Sequence, residues 1–186
     1  MRFFIALEIP SKNRLQFQAI QAKLHTLIPQ AKFTSDDKLH LTLAFIADQP
    51  PHLKEALVKI IQSAAKGVPV FEVTPAYIDG FPNIHKPQVL WVGVKGDIDK
   101  VLQIRERVKD GLTDLGLGSD PRRFIPHITI AKFNNNFRID RELEVKLEKI
   151  MAMPFDPMSI SSIKLFESIP SGDFHKHNTL AEIKLS

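Results

Sequence analysis

Two copies of a His-x-Thr pattern are the residues of this sequence best suited to chemistry. The first spans residues 40–45 (HLTLAF) and the second spans residues 127–132 (HITIAK), with the histidines 127 − 40 = 87 residues apart. Each copy predicts a β-strand, and since side chains alternate across a strand, each His shares a face with the Thr two residues on. Leu41, Leu43 and Phe45 are expected on the opposite face. Two such strands beside one cleft would present a pair of imidazoles to it.

Paired histidines are suited to proton transfer at a phosphodiester. Near neutral pH one imidazole, of His40 or His127, can accept a proton from water or a hydroxyl while the other, protonated, donates one to the leaving oxygen. The hydroxyls of Thr42 and Thr129 could donate hydrogen bonds to nonbridging phosphate oxygens as negative charge grows. This chemistry requires no metal.

A metal site is the second interpretation of the same histidines, since His is a common ligand of zinc. Neither motif has a carboxylate or a second His at ligand spacing, and the chain has no cysteine. Walker and dinucleotide-binding motifs are also missing. The sequence therefore predicts neither a metal nor a cofactor. His175 and His177 form a further pair, expected at an exposed turn and strand start that could approach the cleft.

Basic and aromatic residues flank the second motif. Three basic side chains could meet a phosphate, namely Lys132, Arg122 and Arg123. Three phenylalanines could stack a base, namely Phe124, Phe133 and Phe137. Since the chain has 13 Phe, we expect most of them to pack in the core. Trp91 is expected in the core or in a cleft wall.

The composition is that of an ordinary globular protein. The 186 residues, 44% of them hydrophobic, predict one domain over residues 1–186. A net charge of +4 favours anionic partners. The missing cysteines are typical of a reducing compartment, and the apolar runs are too short to cross a membrane. We therefore expect a cytoplasmic protein without a membrane segment.

The order of predicted elements favours an α+β fold with antiparallel sheets. Strands are predicted at residues 2–8, 40–45, 70–78, 88–94, 127–132, 159–167 and 179–185. Helices are predicted from a Ser11 cap to Pro29, after Pro51 to Gly67, from an Asp97 cap to Gly116 or Gly118, and from Asp140 to about Met151. The order repeats crudely around the two motifs, which predicts two similar lobes with the His strands at their junction.

With both motifs in view, the sequence resembles the 2H phosphoesterase superfamily, and within it the RNA 2′,3′-cyclic phosphodiesterase branch, long called 2′-5′ RNA ligase. Five segments carry the resemblance, which extends over almost the whole chain: 2–7 (RFFIAL), 40–45 (HLTLAF), 86–90 (KPQVL), 126–129 (PHIT) and 165–168 (LFES). Two correctly ordered His-x-Thr motifs with these flanking strings are a specific signature.

The resemblance implies a bilobal fold in which two antiparallel sheets, flanked by helices, enclose a central cleft. It also implies metal-independent hydrolysis of an RNA-terminal 2′,3′-cyclic phosphate to a 2′-phosphate by a monomer. By the family's pattern His40 donates a proton to the leaving 3′ oxygen, His127 activates the attacking water, and Thr42, Thr129 and Lys132 hold the phosphate. Relatives often carry Arg at the last position, so Lys132 would supply a point charge instead of a bidentate contact.

Alternatives to this reaction remain open at this point. The same motifs serve cleavage of 2′-5′-linked oligonucleotides or of a small cyclic nucleotide, and members of the family can join RNA ends through a 2′-5′ linkage. From a different class, the protein could be a non-catalytic module that binds RNA ends. Both histidines and both threonines are intact, which argues against a pure binder because binding alone needs no proton-transfer groups.

Overall fold

The computed structural model describes residues 1–118, 120–134 and 136–186 of the chain. Within them nine strands and four α-helices follow in the order β1 (Arg2–Glu8), α1 (Ser11–Leu27), β2 (Lys32–Phe33), β3 (His40–Ile46), α2 (Lys54–Ala65), β4 (Phe71–Phe81), β5 (Val89–Gly96), α3 (Ile98–Asp114), β6 (His127–Lys132), α4 (Arg141–Met151), β7 (Met158–Ile160), β8 (Ser162–Ser171) and β9 (Phe174–Lys184). The predicted α+β class is confirmed. The loop predicted at 119–124 and the turn predicted at 134–136 include Ser119 and Asn135, which lie outside the described residues.

The strands form one curled antiparallel sheet in the order β7-β4-β5-β6-β3-β1-β8-β9, with β2 added to β6. Its two halves, β7-β4-β5-β6 and β3-β1-β8-β9, meet where β3 pairs with β6 through Leu41 and Ile128. Helix α4 packs behind β4 and α1 packs on α4, while α2 packs behind β8 and β9 and α3 packs behind β3. The two predicted sheets are thus joined edge to edge, and the two His strands lie side by side at the junction.

The helices form because their apolar residues recur with helical spacing. On α2, for example, Leu57, Ile60, Ile61 and Ala64 are buried against the core. The predicted Asp140 cap is confirmed, since its side chain accepts a hydrogen bond of 2.8 Å from the Leu143 backbone N–H.

Two predicted caps are not formed. Ser11 is the first helical residue instead of the cap, because Pro10 holds the capping position with φ −56°. Asp97 does stand before α3, but its carboxylate accepts a hydrogen bond of 3.0 Å from the Glu72 backbone N–H and none from the helix. That bond attaches the start of α3 to the start of β4.

The C-terminal strands differ most from the sequence prediction. The single strand predicted at 159–167 is two strands, β7 and β8, because β7 pairs with β4 in one half of the sheet and β8 pairs with β1 in the other. The last strand begins at Phe174 instead of Thr179. Gly172, with φ +60°, allows a tight turn, and Phe174 therefore already pairs with Ser171. The β8–β9 hairpin is correspondingly long.

Among the described residues, the structure contains no helix that is both long and apolar enough to cross a membrane.

Candidate active site

The two His motifs occupy the central strands of the sheet and face the same side. Leu41 and Ile128, which pair across β3 and β6, are buried in the core. Side chains one residue away therefore point to the opposite, concave face, which we call the cleft face. Continuing this antiparallel register by one residue either way sets His40 opposite Thr129 and Thr42 opposite His127. The structure thus brings together the four residues that the motifs single out.

Each histidine is held by a hydrogen bond to the backbone two residues before it. The Nδ1 atom of His40 lies 2.6 Å from the carbonyl oxygen of Lys38, and that of His127 lies 2.7 Å from the carbonyl oxygen of Ile125. A carbonyl oxygen can only accept, so Nδ1 must carry the proton in both rings. The neutral rings are therefore Nδ1–H tautomers, and Nε2 of each is left to accept or, once protonated, to donate.

Aromatic rings enclose both imidazoles. The ring of Phe4 lies 5.0 Å from that of His40, and the ring of Phe166 stacks on Phe4. His127 lies 5.0 Å from Phe81 and 5.5 Å from Trp91, which is 2% exposed. The prediction of Trp91 as a core or cleft-wall residue is confirmed.

Burial in these surroundings lowers the pKa of both histidines. Desolvation is the largest cause for His40, whose pKa falls to about 4; the charges of His177 and His127 lower it further, while the hydrogen bond to Lys38 opposes the fall. Burial is also the largest cause of the lowered pKa of His127. In the free protein we therefore expect both rings to be neutral at pH 7.

A carboxylate pairs across the strands with His40 but does little to keep that ring charged. Glu8 lies opposite His40 in the β1–β3 pairing. It forms ion pairs with Lys164 of β8 and, at 3.2 Å, with Arg14 of α1. Because two cations already balance Glu8, its effect in raising the pKa of His40 is the smallest of those acting on the ring.

The remaining predicted phosphate ligands lie on the same two strands. Thr42 and Thr129 are half-buried, and within the described chain neither hydroxyl is hydrogen-bonded to another residue. Lys132 ends β6, is exposed, and forms no ion pair with a described carboxylate. Its charge is among those that lower the pKa of His177, which places it near the cleft. The roles predicted for these residues stay predictions.

Three of the other basic and aromatic candidates, Arg122, Phe133 and Phe137, have contacts of their own within the protein. The guanidinium of Arg122 is held by the carboxylate of Asp120 within their own exposed loop. Phe133 and Phe137 stack on each other with ring centroids 4.3 Å apart, and the former is buried. Core packing was the expected alternative for most phenylalanines, and these two confirm it.

Phe45 does not lie on the core face predicted for it. The pairing of β1 with β3 shifts by one residue between Ala6–Thr42 and Ile5–Ala44, and this bulge inverts the alternation beyond it. Phe45 therefore pairs with Phe4, with ring centroids 5.9 Å apart, and is 76% exposed on the cleft face. The prediction is wrong because simple alternation does not reveal a bulge.

Sequence reasoning underrated His177. This residue lies on β9 with its ring 4.8 Å from Phe4 and 5.6 Å from His40, so a third imidazole borders the pair. The signal was the His-x-His spacing, which puts His175 and His177 on one face of a strand. In the described residues no group of three His, Asp or Glu side chains is arranged to hold a metal ion.

Comparison with known proteins decides the family. The model of the 2′-5′ RNA ligase superfamily matches residues 10–155, which is more than half of the chain and contains both motifs. The chain belongs to the 2′-5′ RNA ligase superfamily. The family resemblance inferred from the His-x-Thr motifs is confirmed.

Relatives in this superfamily match over most of their length. A protein of Aeropyrum pernix named RNA 2′,3′-cyclic phosphodiesterase is 27% identical over 160 residues, covering 86% of this chain and 89% of that protein. One of the same name from Thermotoga maritima is 26% identical over 178 residues, covering 95% and 92%. The crystal structure of Escherichia coli LigT complexed with 3′-AMP superposes with a TM-score of 0.77 at 20% identity, covering 100% of this chain and 98% of that one. The predicted 2H phosphoesterase fold is confirmed.

Proposed function

We propose that this protein hydrolyses an RNA-terminal 2′,3′-cyclic phosphate to a 2′-phosphate without a metal ion. The observation that carries the proposal is the matched pair of Nδ1–carbonyl bonds at His40 and His127, which leaves both Nε2 atoms for proton transfer on one face of the sheet. The name shared by relatives from Aeropyrum pernix and Thermotoga maritima supports the same reaction.

The reaction uses the two rings in opposite protonation states. Nε2 of His127 takes a proton from water as the water oxygen attacks phosphorus. Protonated Nε2 of His40 gives its proton to the 3′ oxygen as the phosphorus–O3′ bond breaks. The products are a 3′-hydroxyl and a 2′-phosphate, and proton exchange with solvent restores both rings. This assignment of acid and base follows the family's pattern.

Three side chains bind the phosphate in this proposal. The hydroxyls of Thr42 and Thr129 donate to the nonbridging oxygens, where negative charge grows in the transition state. The ammonium of Lys132 adds a positive charge at the end of β6. Because a lysine cannot form the bidentate contact of an arginine, we expect Lys132 to contribute mainly to binding.

The experiment incubates the protein with a short RNA that ends in a 2′,3′-cyclic phosphate, in EDTA, and separates 2′- from 3′-phosphate products. We expect a 2′-phosphate, with kcat reduced about 10²–10⁴-fold in His40→Ala and in His127→Ala. His52→Ala, an exposed histidine outside the cleft, is the matched control. A 3′-phosphate product would mean that the 2′ oxygen leaves instead of the 3′ oxygen. Loss of turnover in EDTA would refute metal independence.

Failure to turn over this RNA would direct the assay to 2′-5′ oligonucleotides and small cyclic nucleotides. Binding that persists in both His→Ala variants without turnover in the parent protein would establish the RNA-end-binding module instead. Supplying an RNA with a free 5′-hydroxyl tests the reverse reaction, which would form a 2′-5′ linkage. The cytoplasmic location, the monomeric state and the single domain over residues 1–186 stay predictions.

A further inference from the structure

Beside His40, a pocket lies at the tip of the β8–β9 hairpin. The pocket has a volume of about 300 Å³ and is lined by Asp37, Lys38, Ser171, Phe174, His175, Lys176 and His177. It is formed by the tip of the hairpin on one side and by the short turn of 3₁₀-helix before β3 on the other. None of their side chains takes part in the proton transfers proposed above, although the backbone carbonyl of Lys38 holds His40.

An exposed aromatic ring and lysines dominate this pocket. Phe174 is 58% exposed, the ammonium of Lys32 lies 4.3 Å from the centre of its ring, and that of Lys38 lies 5.7 Å from it. A single exposed phenylalanine carries no information by itself. An aromatic ring beside two cations is the combination with which proteins hold single-stranded nucleic acid, since the ring stacks a base and the cations meet the phosphates.

The charge of the pocket is net positive. Lys32, Lys38 and Lys176 form no ion pair with a described carboxylate, and Lys132 approaches from β6. Asp37 is the opposing charge in the lining. The two lysines of the lining against its one carboxylate, with Lys32 beside the Phe174 ring, favour a polyanion over a neutral or cationic ligand.

The pocket is continuous with the reacting centre. The same Lys38 whose side chain approaches Phe174 accepts the hydrogen bond from His40 Nδ1 through its carbonyl oxygen. His177 lines the pocket and lies 5.6 Å, ring to ring, from His40. A strand of RNA whose cyclic phosphate lies at His40 therefore has room to extend toward the hairpin with its preceding nucleotide.

We propose that the pocket binds the nucleotide that precedes the terminal one, with Phe174 stacking its base and Lys32 and Lys38 holding the adjoining phosphates. This inference rests on the proposed function and names its substrate class: an RNA oligonucleotide rather than a cyclic mononucleotide. In this proposal a cyclic mononucleotide has no preceding nucleotide to fill the pocket and gains nothing from it. An acidic peptide would satisfy the lysines but would bring no base to Phe174.

The test compares a 2′,3′-cyclic mononucleotide with an RNA tetramer ending in the same group, using Phe174→Ala and the double variant Lys32→Met, Lys38→Met. Methionine removes the charge but keeps an unbranched apolar stem of similar length. The controls lie on helices behind the sheet: Leu15→Ala on α1, and Lys54→Met with Lys59→Met on α2. All three control positions are exposed.

We expect the parent protein to prefer the tetramer. Phe174→Ala should lower kcat/KM for the tetramer about tenfold, equivalent to about 1.4 kcal/mol, through loss of one stack. The mononucleotide should be unaffected. The lysine variant should reduce the slope of log kcat/KM against log salt by about 1.4 for the tetramer, since each phosphate contact to a single strand contributes about 0.7.

Equal losses for both substrates, or no loss for either, would overturn the subsite while leaving the hydrolase intact. If no substrate is turned over, the proposed function fails. Binding at the subsite is then measured separately, by the fluorescence anisotropy of a fluorescein-labelled tetramer. Tetramer binding that weakens about tenfold in Phe174→Ala and remains unchanged in Leu15→Ala would support the subsite. Unchanged binding in Phe174→Ala would refute it.

Discussion

The charge on His40 should depend on whether an anion occupies the cleft. Burial near Phe4 and Phe166 holds its pKa at about 4 in the free protein, so the ring carries no proton to donate at pH 7. A phosphate anion about 4 Å from Nε2 favours the charged ring by about 4 kcal/mol at an effective dielectric constant of about 20. Since one pKa unit corresponds to about 1.36 kcal/mol, the pKa should rise by about three units, to about 7.

NMR titration of the ring Cε1–H measures this shift directly. The signal of His40 is assigned by its loss in His40→Asn, and the protein is titrated free and saturated with 2′-AMP, which carries the product's phosphate. We expect a midpoint near 4 without ligand and near 7 with it. Kinetics should agree. The pH profile of kcat/KM, which reports the free enzyme, should peak between the pKa of His40, about 4, and the pKa of His127, which burial lowers below its ordinary value. The profile of kcat should peak at higher pH.

Two results would refute this reasoning. A midpoint at or above 6.5 in the free protein would show that burial does not control His40. A midpoint that remains near 4 at saturating 2′-AMP would show that the phosphate does not bind beside this ring, and the proton donor would have to be sought elsewhere. Repeating the titration at high salt is the control for general screening, which affects exposed charges more than buried ones.

Three further predictions concern stability and the phosphate site. His40 should contribute about 3 kcal/mol to the rise in unfolding free energy from pH 4 to 6.5, because the unfolded chain binds a proton that folded His40 rejects; denaturant titrations of the parent and of His40→Asn should differ by this amount, and an equal rise in both would contradict it. Thr42→Val and Thr129→Val should each lower kcat about 10²-fold with an unchanged Tm, and a change confined to KM would argue against transition-state donors. A Cβ at position 93 would lie 2.1 Å from Cζ of Tyr77, whose exposed ring must move aside, so Gly93→Ala should destabilise the protein by about 1 kcal/mol; adding Tyr77→Ala should recover part of the loss, and strict additivity would rule out this clash.

Local patterns predicted much of this fold. The alternation of residues 40–45 and 127–132 is a property of each strand alone, and both strands are present where it predicts them. Helix α2 follows from the spacing of its apolar residues, and the Asp140 cap follows from the chemistry of one side chain and one backbone N–H. Family membership is also predicted from the sequence alone, because it depends on the two His-x-Thr motifs and their order along the chain.

The arrangement of the site depends on contacts between residues that are distant in sequence. Only the pairing of β3 with β6 puts His40 and His127 on one face, and the bulge that exposes Phe45 is a property of two strands together. The approach of His177 requires the long β8–β9 hairpin, which brings the ring of this residue to Phe4 of β1. Sequence thus determined which groups could move protons, whereas tertiary structure decided which nitrogen is free to do so and how strongly burial lowers its pKa. Both depend on neighbours that only folding brings together.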